Sequence, residues 1–266
     1  GRGHKLQPPP VKVFAEENNI PVLQPEKLKS PEVVAKLAEF NADLIVVVAY
    51  GKILPQEILD LPKFGCINVH ASLLPKYRGA APIEWSIING ETSTGITTMK
   101  MDAGLDTGDM LLASKVEITD DMILPELKEI LSVEGAKLLI KTINNLDTIK
   151  PVKQNDTLSN YAPMLTKDTG KIDWKKSVRE IHNLVRGLYG GAFTNIDGQK
   201  FKIWRTKIFP MNLNFPAGEI KIHHKKFFVG TGDGTLEILE LQAPNSKKMD
   251  AASFLLGHKL EGNKFE

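Results

Sequence analysis

Two hydrophobic patterns follow one another along the chain. Up to about residue 146, short apolar runs of strand length alternate with stretches whose apolar residues recur every three or four positions. The runs predict strands at 21–23, 44–50, 66–69, 94–101 and 110–118. The other stretches predict helices at 11–19, 31–40, 56–59, 82–89 and 125–146, the last with Leu127, Leu131, Ala136, Leu139 and Ile143 near helical spacing. Ser30 before Pro31 reads as an N-cap followed by a first-turn proline. Helices alternating with apolar strands are the signature of an α/β fold, a Rossmann-like and mostly parallel sheet covered by helices.

Periodicity fades over 150–169, where Asp, Asn, Thr and Pro accumulate, and this stretch reads as a linker. Beyond it, a helix at 177–188 precedes short strands at 193–196, 200–208, 218–223, 226–230 and 236–241. Asp197-Gly198 marks a hairpin turn, and a short helix near 249–256 ends at Gly257. Antiparallel strands at this spacing predict a small C-terminal β-barrel of the oligonucleotide-binding (OB) type. The expected organisation is an α/β domain at 1–149, a linker at 150–169 and a β-barrel domain at 170–266.

Two stretches interrupt this frame with polar groups. In Cys66-Ile67-Asn68-Val69-His70 the period of 2 puts Asn68 and His70 on one side of an extended backbone, with Val69 on the other. Both sit at a strand's carboxyl end, where open α/β sheets bind ligands. In Asp102-Ala103-Gly104-Leu105-Asp106-Thr107-Gly108-Asp109 two glycines bracket Asp106 and place it in a loop. An amide, an imidazole and a carboxylate suit a site that moves protons and stabilises a developing oxyanion. The competing expectation is a hydrogen-bonded structural histidine and an Asx-turn at Asp106.

The segment Asn68-Val69-His70-Ala71-Ser72-Leu73-Leu74-Pro75, with Tyr77-Arg78-Gly79-Ala80-Ala81-Pro82-Ile83 and Gly104-Leu105-Asp106-Thr107-Gly108-Asp109, resembles the formyltetrahydrofolate-dependent formyltransferases. The likeness covers essentially the whole chain and is greatest to members acting on methionyl-tRNA. It implies 10-formyltetrahydrofolate as formyl donor and initiator methionyl-tRNA as acceptor. Asn68, His70 and Asp106 become the catalytic group; Asp106 would raise and orient the histidine or take the amine proton itself. Tyr50 and Gly51, with Ser72, Leu73, Leu74 and Pro75, fall beside the folate. Arg2 and Lys5 belong to a basic loop that would wedge against the tRNA acceptor end. Arg78 either contacts the substrate or makes a local salt bridge. Ile172-Asp173-Trp174 matches the opening of the family's C-terminal domain. One departure is Leu188-Tyr189-Gly190-Gly191, where the family has a proline- and tryptophan-containing turn; either the turn is shortened or residues are missing. Sugar-amine formyltransferases, formyl-folate hydrolases and a non-catalytic RNA-binding relative are the alternatives.

Composition adds bounds. The chain has 266 residues, 42% of them hydrophobic, enough for a sizeable core in one large or two ordinary domains. No apolar run approaches the ~20 residues of a membrane span. Net charge is +2, but residues 167–266 hold 17 Lys/Arg against 11 Asp/Glu, while 1–166 hold 17 against 21. A basic C-terminal part fits an anionic polymer or a solvated lysine-rich surface. Cys66, the one cysteine, cannot form an intramolecular disulfide and sits among apolar neighbours, as an inert buried thiol would. His223 and His224 are adjacent and point to opposite faces, and no metal site is expected. Gly1-Arg2-Gly3 is an abrupt, basic opening without Met. The resemblance implies a first strand–helix unit before it. A monomer in the bacterial cytoplasm is expected, with an organellar matrix as the alternative.

Overall fold

Helices form where apolar spacing and capping chemistry coincide. A computed structural model describes residues 7–258, 260 and 263–266. Helix α1 spans Pro10–Glu17 and α2 spans Pro31–Ala38, where the Ser30 hydroxyl accepts the Val33 N–H at 3.4 Å. Then come β1 (Ile45–Val47), α3 (Gln56–Leu59), β2 (Cys66–His70), β3 (Arg78–Gly79) and α4 (Pro82–Ile88). Strands β4 (Ser93–Lys100) and β5 (Met110–Glu117) and the long helix α5 (Leu124–Asn144) complete this part.

The N-terminal sheet has the order β1-β2-β4-β5. The pair β1–β2 is parallel, with Ile45 opposite Cys66 and Val47 opposite Asn68. Strand β4 runs antiparallel to both β2 and β5. Residues 101–109 are too few for the crossover that a parallel β4–β5 pair would need. Helix α5 covers this sheet, burying Leu127, Leu131 and Leu138 against Ile87, Ile96 and Val116. The expected strand at 21–23 does not form, since no described strand pairs with it. Strand β1 lies at the edge of the described sheet, and Val46 and Val48 are exposed, unlike a strand buried on both faces. Cys66 is buried, and burial, aided by the nearby Asp60 carboxylate, pushes its thiol up to about 11.

The stretch 150–169 is laid along this part of the molecule. Val152 and Met110 exchange backbone hydrogen bonds of 2.8 and 2.9 Å, and β6 (Tyr161–Ala162) pairs in parallel with β3.

Helix α6 (Val178–Leu188) opens the C-terminal part with a capping box, Ser177 accepting from the Glu180 N–H and Glu180 from the Ser177 N–H. Strands β7 (Phe193–Ile196), β8 (Gln199–Ile208), β9 (Ile220–His223), β10 (Lys226–Gly230) and β11 (Thr235–Gln242) form a sheet ordered β7-β8-β11-β10-β9. β12 (Met249–Asp250) pairs with β11, and α7 (Ala251–Gly257) follows it. The two edges of this sheet are joined by the tail. The Ile220 N–H donates to Asn263, the Phe265 N–H to Gly218 and the Glu266 N–H to Asn195. This tie gives the curled, OB-like half-barrel expected from the strand spacing. Its core stacks Trp174 on Phe265 at 5.3 Å between ring centres, beside Phe227 and Phe254. At 188–191 the chain makes a tight turn. A Cβ on Gly190 (φ +89°) would lie 2.5 Å from the Trp204 ring, so a side chain has no room.

The two parts meet through α6. A Cβ at Gly187 would lie 2.8 Å from Ile88, so its absence lets α6 close on α4. Arg186 donates to the Thr119 and Met122 carbonyls at 3.1 and 3.2 Å, and Arg179 pairs with Asp120 at 3.1 Å. His182 is buried, with Nε2 on the Asp120 carbonyl at 3.2 Å and Nδ1 on the Thr206 hydroxyl at 2.9 Å. A carbonyl only accepts, so Nε2 carries the proton and Nδ1 accepts in the neutral ring. Burial lowers the His182 pKa, and the Arg186 charge adds to this; the Asp120 carbonyl and Asp121 oppose it. An unfolded histidine binds its proton near pH 6.5, whereas the folded one does so only at lower pH. The associated stability is therefore complete above pH 6.5 and lost as pH falls through the folded value. Chemical denaturation between pH 8 and 5 is expected to show this loss, with a shallower slope in His182→Gln.

Candidate active site

Strand β2 ends where the polar centre begins. Its register against β1 sets Asn68 beside Val47, so the loop after β1, with Tyr50 and Gly51, leaves the sheet at the same end. Tyr50 is 45% exposed and Gly51 is open, with nothing within 4 Å of where a Cβ would lie.

The Asp106 carboxylate gathers the site. One oxygen accepts from Asn68 Nδ2 at 3.4 Å; the other accepts the Gly79 N–H at 2.8 Å and lies 3.6 Å from His70 Nδ1. His70 is 6% exposed and its Nε2 donates to the Tyr77 carbonyl at 2.9 Å. The Tyr77 carbonyl only accepts, so Nε2 carries a proton, and Nδ1 faces the Asp106 carboxylate. The three predicted residues do converge. The Asx-turn foreseen at Asp106 is made by Asp102 instead, which accepts from the Gly104 N–H at 3.0 Å and the Thr107 hydroxyl at 2.8 Å. The flanking glycines are required by close approach: a Cβ at Gly108 would lie 1.8 Å from the Lys100 carbonyl.

Several supporting groups escaped the sequence reading. Gln154, buried in the segment read as a linker, donates both amide hydrogens, to the Asp106 and Gly108 carbonyls at 2.8 Å each. Its Oε1 accepts from Arg78 Nε at 3.0 Å. The Arg78 guanidinium also pairs with the largely exposed Asp156 at 2.7 Å. Tyr77, at φ +60°, donates its N–H to Asn160 Oδ1, and its phenol donates to Glu91 at 2.8 Å. Burial pushes that phenol up to about 12, so it stays a donor. A glutamine inside a polar stretch carries no periodic signal, and the Gly79 amide carries no side chain. The Gly79-Ala80-Ala81 run was the one available hint of a backbone contact.

Of the four residues after β2 expected beside the folate, Ser72 is fully buried and its hydroxyl donates to the Lys76 carbonyl at 2.6 Å. Leu74 is buried, with its N–H on the Thr97 hydroxyl. Leu73 and Pro75 are half-buried on the same loop. Arg2 and Lys5 lie outside the described residues. Among the described residues no group of three or more His, Cys, Asp or Glu is placed to hold a metal, and no helix is long and apolar enough to cross a membrane.

Comparison with known proteins matches this fold to a class. The formyl transferase family matches residues 1–143, and the formyl transferase C-terminal domain matches residues 164–259. The chain belongs to the formyl transferase family. It is 51% identical over 265 residues to the methionyl-tRNA formyltransferase of Geobacter metallireducens, covering 98% of this chain and 85% of that protein. It is also 51% identical over 266 residues to the methionyl-tRNA formyltransferase of Acetivibrio thermocellus, covering 98% and 86%. Among solved structures, the sugar 3N-formyl transferase WlaRD matches with a TM-score of 0.68 at 22% identity, over 89% of this chain and 82% of that one. HypX from Aquifex aeolicus in complex with tetrahydrofolic acid matches at 0.65 and 17% identity, over 89% and 45%. Both establish likeness of fold.

Gln154→Ala would leave two backbone carbonyls without their donor, at about 1–3 kcal/mol for each that stays buried. Hydrogen exchange followed by mass spectrometry is expected to accelerate across 102–109 and to stay unchanged in β2. Equal rates in variant and parent would remove Gln154 from this supporting role.

Proposed function

We propose that the chain transfers the formyl group of 10-formyltetrahydrofolate to the amino group of methionine on initiator methionyl-tRNA, acting as a cytoplasmic monomer. The observation that carries this reading is the convergence of Asn68, His70 and the Gly79 N–H on the Asp106 carboxylate. The names of relatives at half identity support the acceptor, and the tetrahydrofolate in the HypX complex supports a folate donor.

The amine attacks the formyl carbon and the carbonyl oxygen gains negative charge. Asn68 has a second amide hydrogen beyond the one aimed at Asp106, and it donates to that oxyanion. The proton released by the amine passes to the His70–Asp106 pair, which returns one to the leaving folate nitrogen. The Tyr77 carbonyl fixes the imidazole, and the Gly79 N–H orients Asp106. Tyr50, Gly51, Leu73 and Pro75 line the folate side, while the buried Ser72 and Leu74 shape that loop. In this reading the α/β part, 1–149, binds the folate. The β part, 170–266, binds the tRNA, with Arg2, Lys5 and Arg78 as further contacts.

The assay supplies 10-formyltetrahydrofolate and Met-charged initiator tRNA, releases the amino acid and detects formylmethionine by mass. His70→Ala is expected to lower kcat by roughly 10²–10⁴ and Asn68→Ala by roughly 10²–10³, with thermal melts confirming that both variants fold. Free formate with nothing on the tRNA would reassign the chain to a hydrolase. Salt-sensitive RNA binding without folate turnover would make it a non-catalytic relative.

A further inference from the structure

Where α6 meets β8 and the 119–123 turn there is a second cavity, of about 180 Å³, well separated in sequence from the Asp106 centre. Its walls include His182, Arg186, Trp204, Arg205, Lys207 and Asp121. We infer that this cavity is a binding site for a phosphate group.

The charge is out of balance. Arg186 is 4% exposed, yet its partners are the Asn183 side-chain oxygen and the carbonyls of Thr119 and Met122, all neutral. Among the described residues no carboxylate lies within ion-pair distance of it. Asp120 and Asp121 act on it only from beyond ion-pair distance and are largely exposed, so a bound anion would offset the buried charge more directly. Arg205 is half-buried and makes no hydrogen bond or ion pair with a described residue. Lys207 lies opposite Glu237 in the β8–β11 register, but Glu237 pairs with Lys226 at 3.2 Å and leaves Lys207 without a carboxylate.

The backbone is also adapted to the cavity. Four consecutive residues, Trp204, Arg205, Thr206 and Lys207, line it. A regular strand would turn alternate side chains away. The β8–β11 register slips between Ile238 and Leu241, opposite Arg205, and this irregularity breaks the alternation. The acidic wall residue Asp121 lies 3.7 Å from His182 Nε2 but is 77% exposed at its side chain, while Asp120 is held by Arg179. Two guanidinium groups and an ammonium around a cavity of this size match the oxygens of a phosphate. That phosphate is either free or part of a nucleic acid backbone.

The test uses the whole protein and inorganic phosphate, titrated at constant ionic strength against chloride, with thermal unfolding as the readout. A saturable rise in Tm is expected. The apparent phosphate affinity should weaken tenfold or more in Arg205→Gln and Lys207→Gln, and Lys247→Gln should match the parent. A short single-stranded RNA then separates the sources. Loss of the phosphate response when RNA is bound, with RNA affinity lowered in Arg205→Gln, assigns the site to a backbone phosphate. An unchanged response assigns it to a free phosphate ligand. A Tm rise no greater than with chloride, or one undiminished in both glutamine variants, overturns the proposal. Neither failure bears on formyl transfer, which is read as formylmethionine made at a different centre without added inorganic phosphate.

Discussion

A single anion, the Asp106 carboxylate, ties together pieces of chain that are otherwise connected only through the sheet. It is 14% exposed at its side chain, so water alone cannot solvate it. Donors from three places do so instead: the end of β2, the imidazole two residues on and the backbone amide of Gly79. The four groups rest on three supports. Asn68 and His70 inherit their direction from the β2 ladder, Gly79 from its parallel pairing with β6, and Asp106 from a turn at φ +55°. Loss of any one support would leave a charge in a poorly solvated position. The arrangement therefore holds as a unit.

The joint between the two parts follows a different logic. It relies on helix α6 packing against α4, which Gly187 permits, and on polar side chains reaching the backbone of the 119–122 turn. Side-chain-to-carbonyl contacts fix orientation without needing a broad apolar face. They also bury an arginine and a histidine at the joint, making it sensitive to protons and anions in a way that the hydrophobic cores on either side are not.

Much of the architecture was legible from spacing. Period-2 alternation placed Asn68 and His70 together, and the bracketing glycines put Asp106 in a loop. The β-barrel strands followed from their turns. What escaped had no signature in side-chain pattern. Gly79 acts through its amide, Gln154 lies in an aperiodic stretch, and Asp102 took the local turn that Asp106 could equally have made. Strand spacing does not encode direction, so the antiparallel β4 and β5 emerged only once the shortness of 101–109 was considered in three dimensions. The sequence 21–23 looks like a strand but pairs with no strand among the described residues.

The position of Gln154 changes where one part of this molecule ends and the next begins. Composition shifts at about residue 150, yet the twelve or so residues after it hydrogen-bond the Asp106 turn and extend β3 through β6. In physical terms the frontier of the α/β part lies after Ala162. Any exchange of β-barrels between relatives that joins chains at the compositional boundary would carry off the brace with the module. A graft made beyond Ala162 keeps each half with the contacts that shape it.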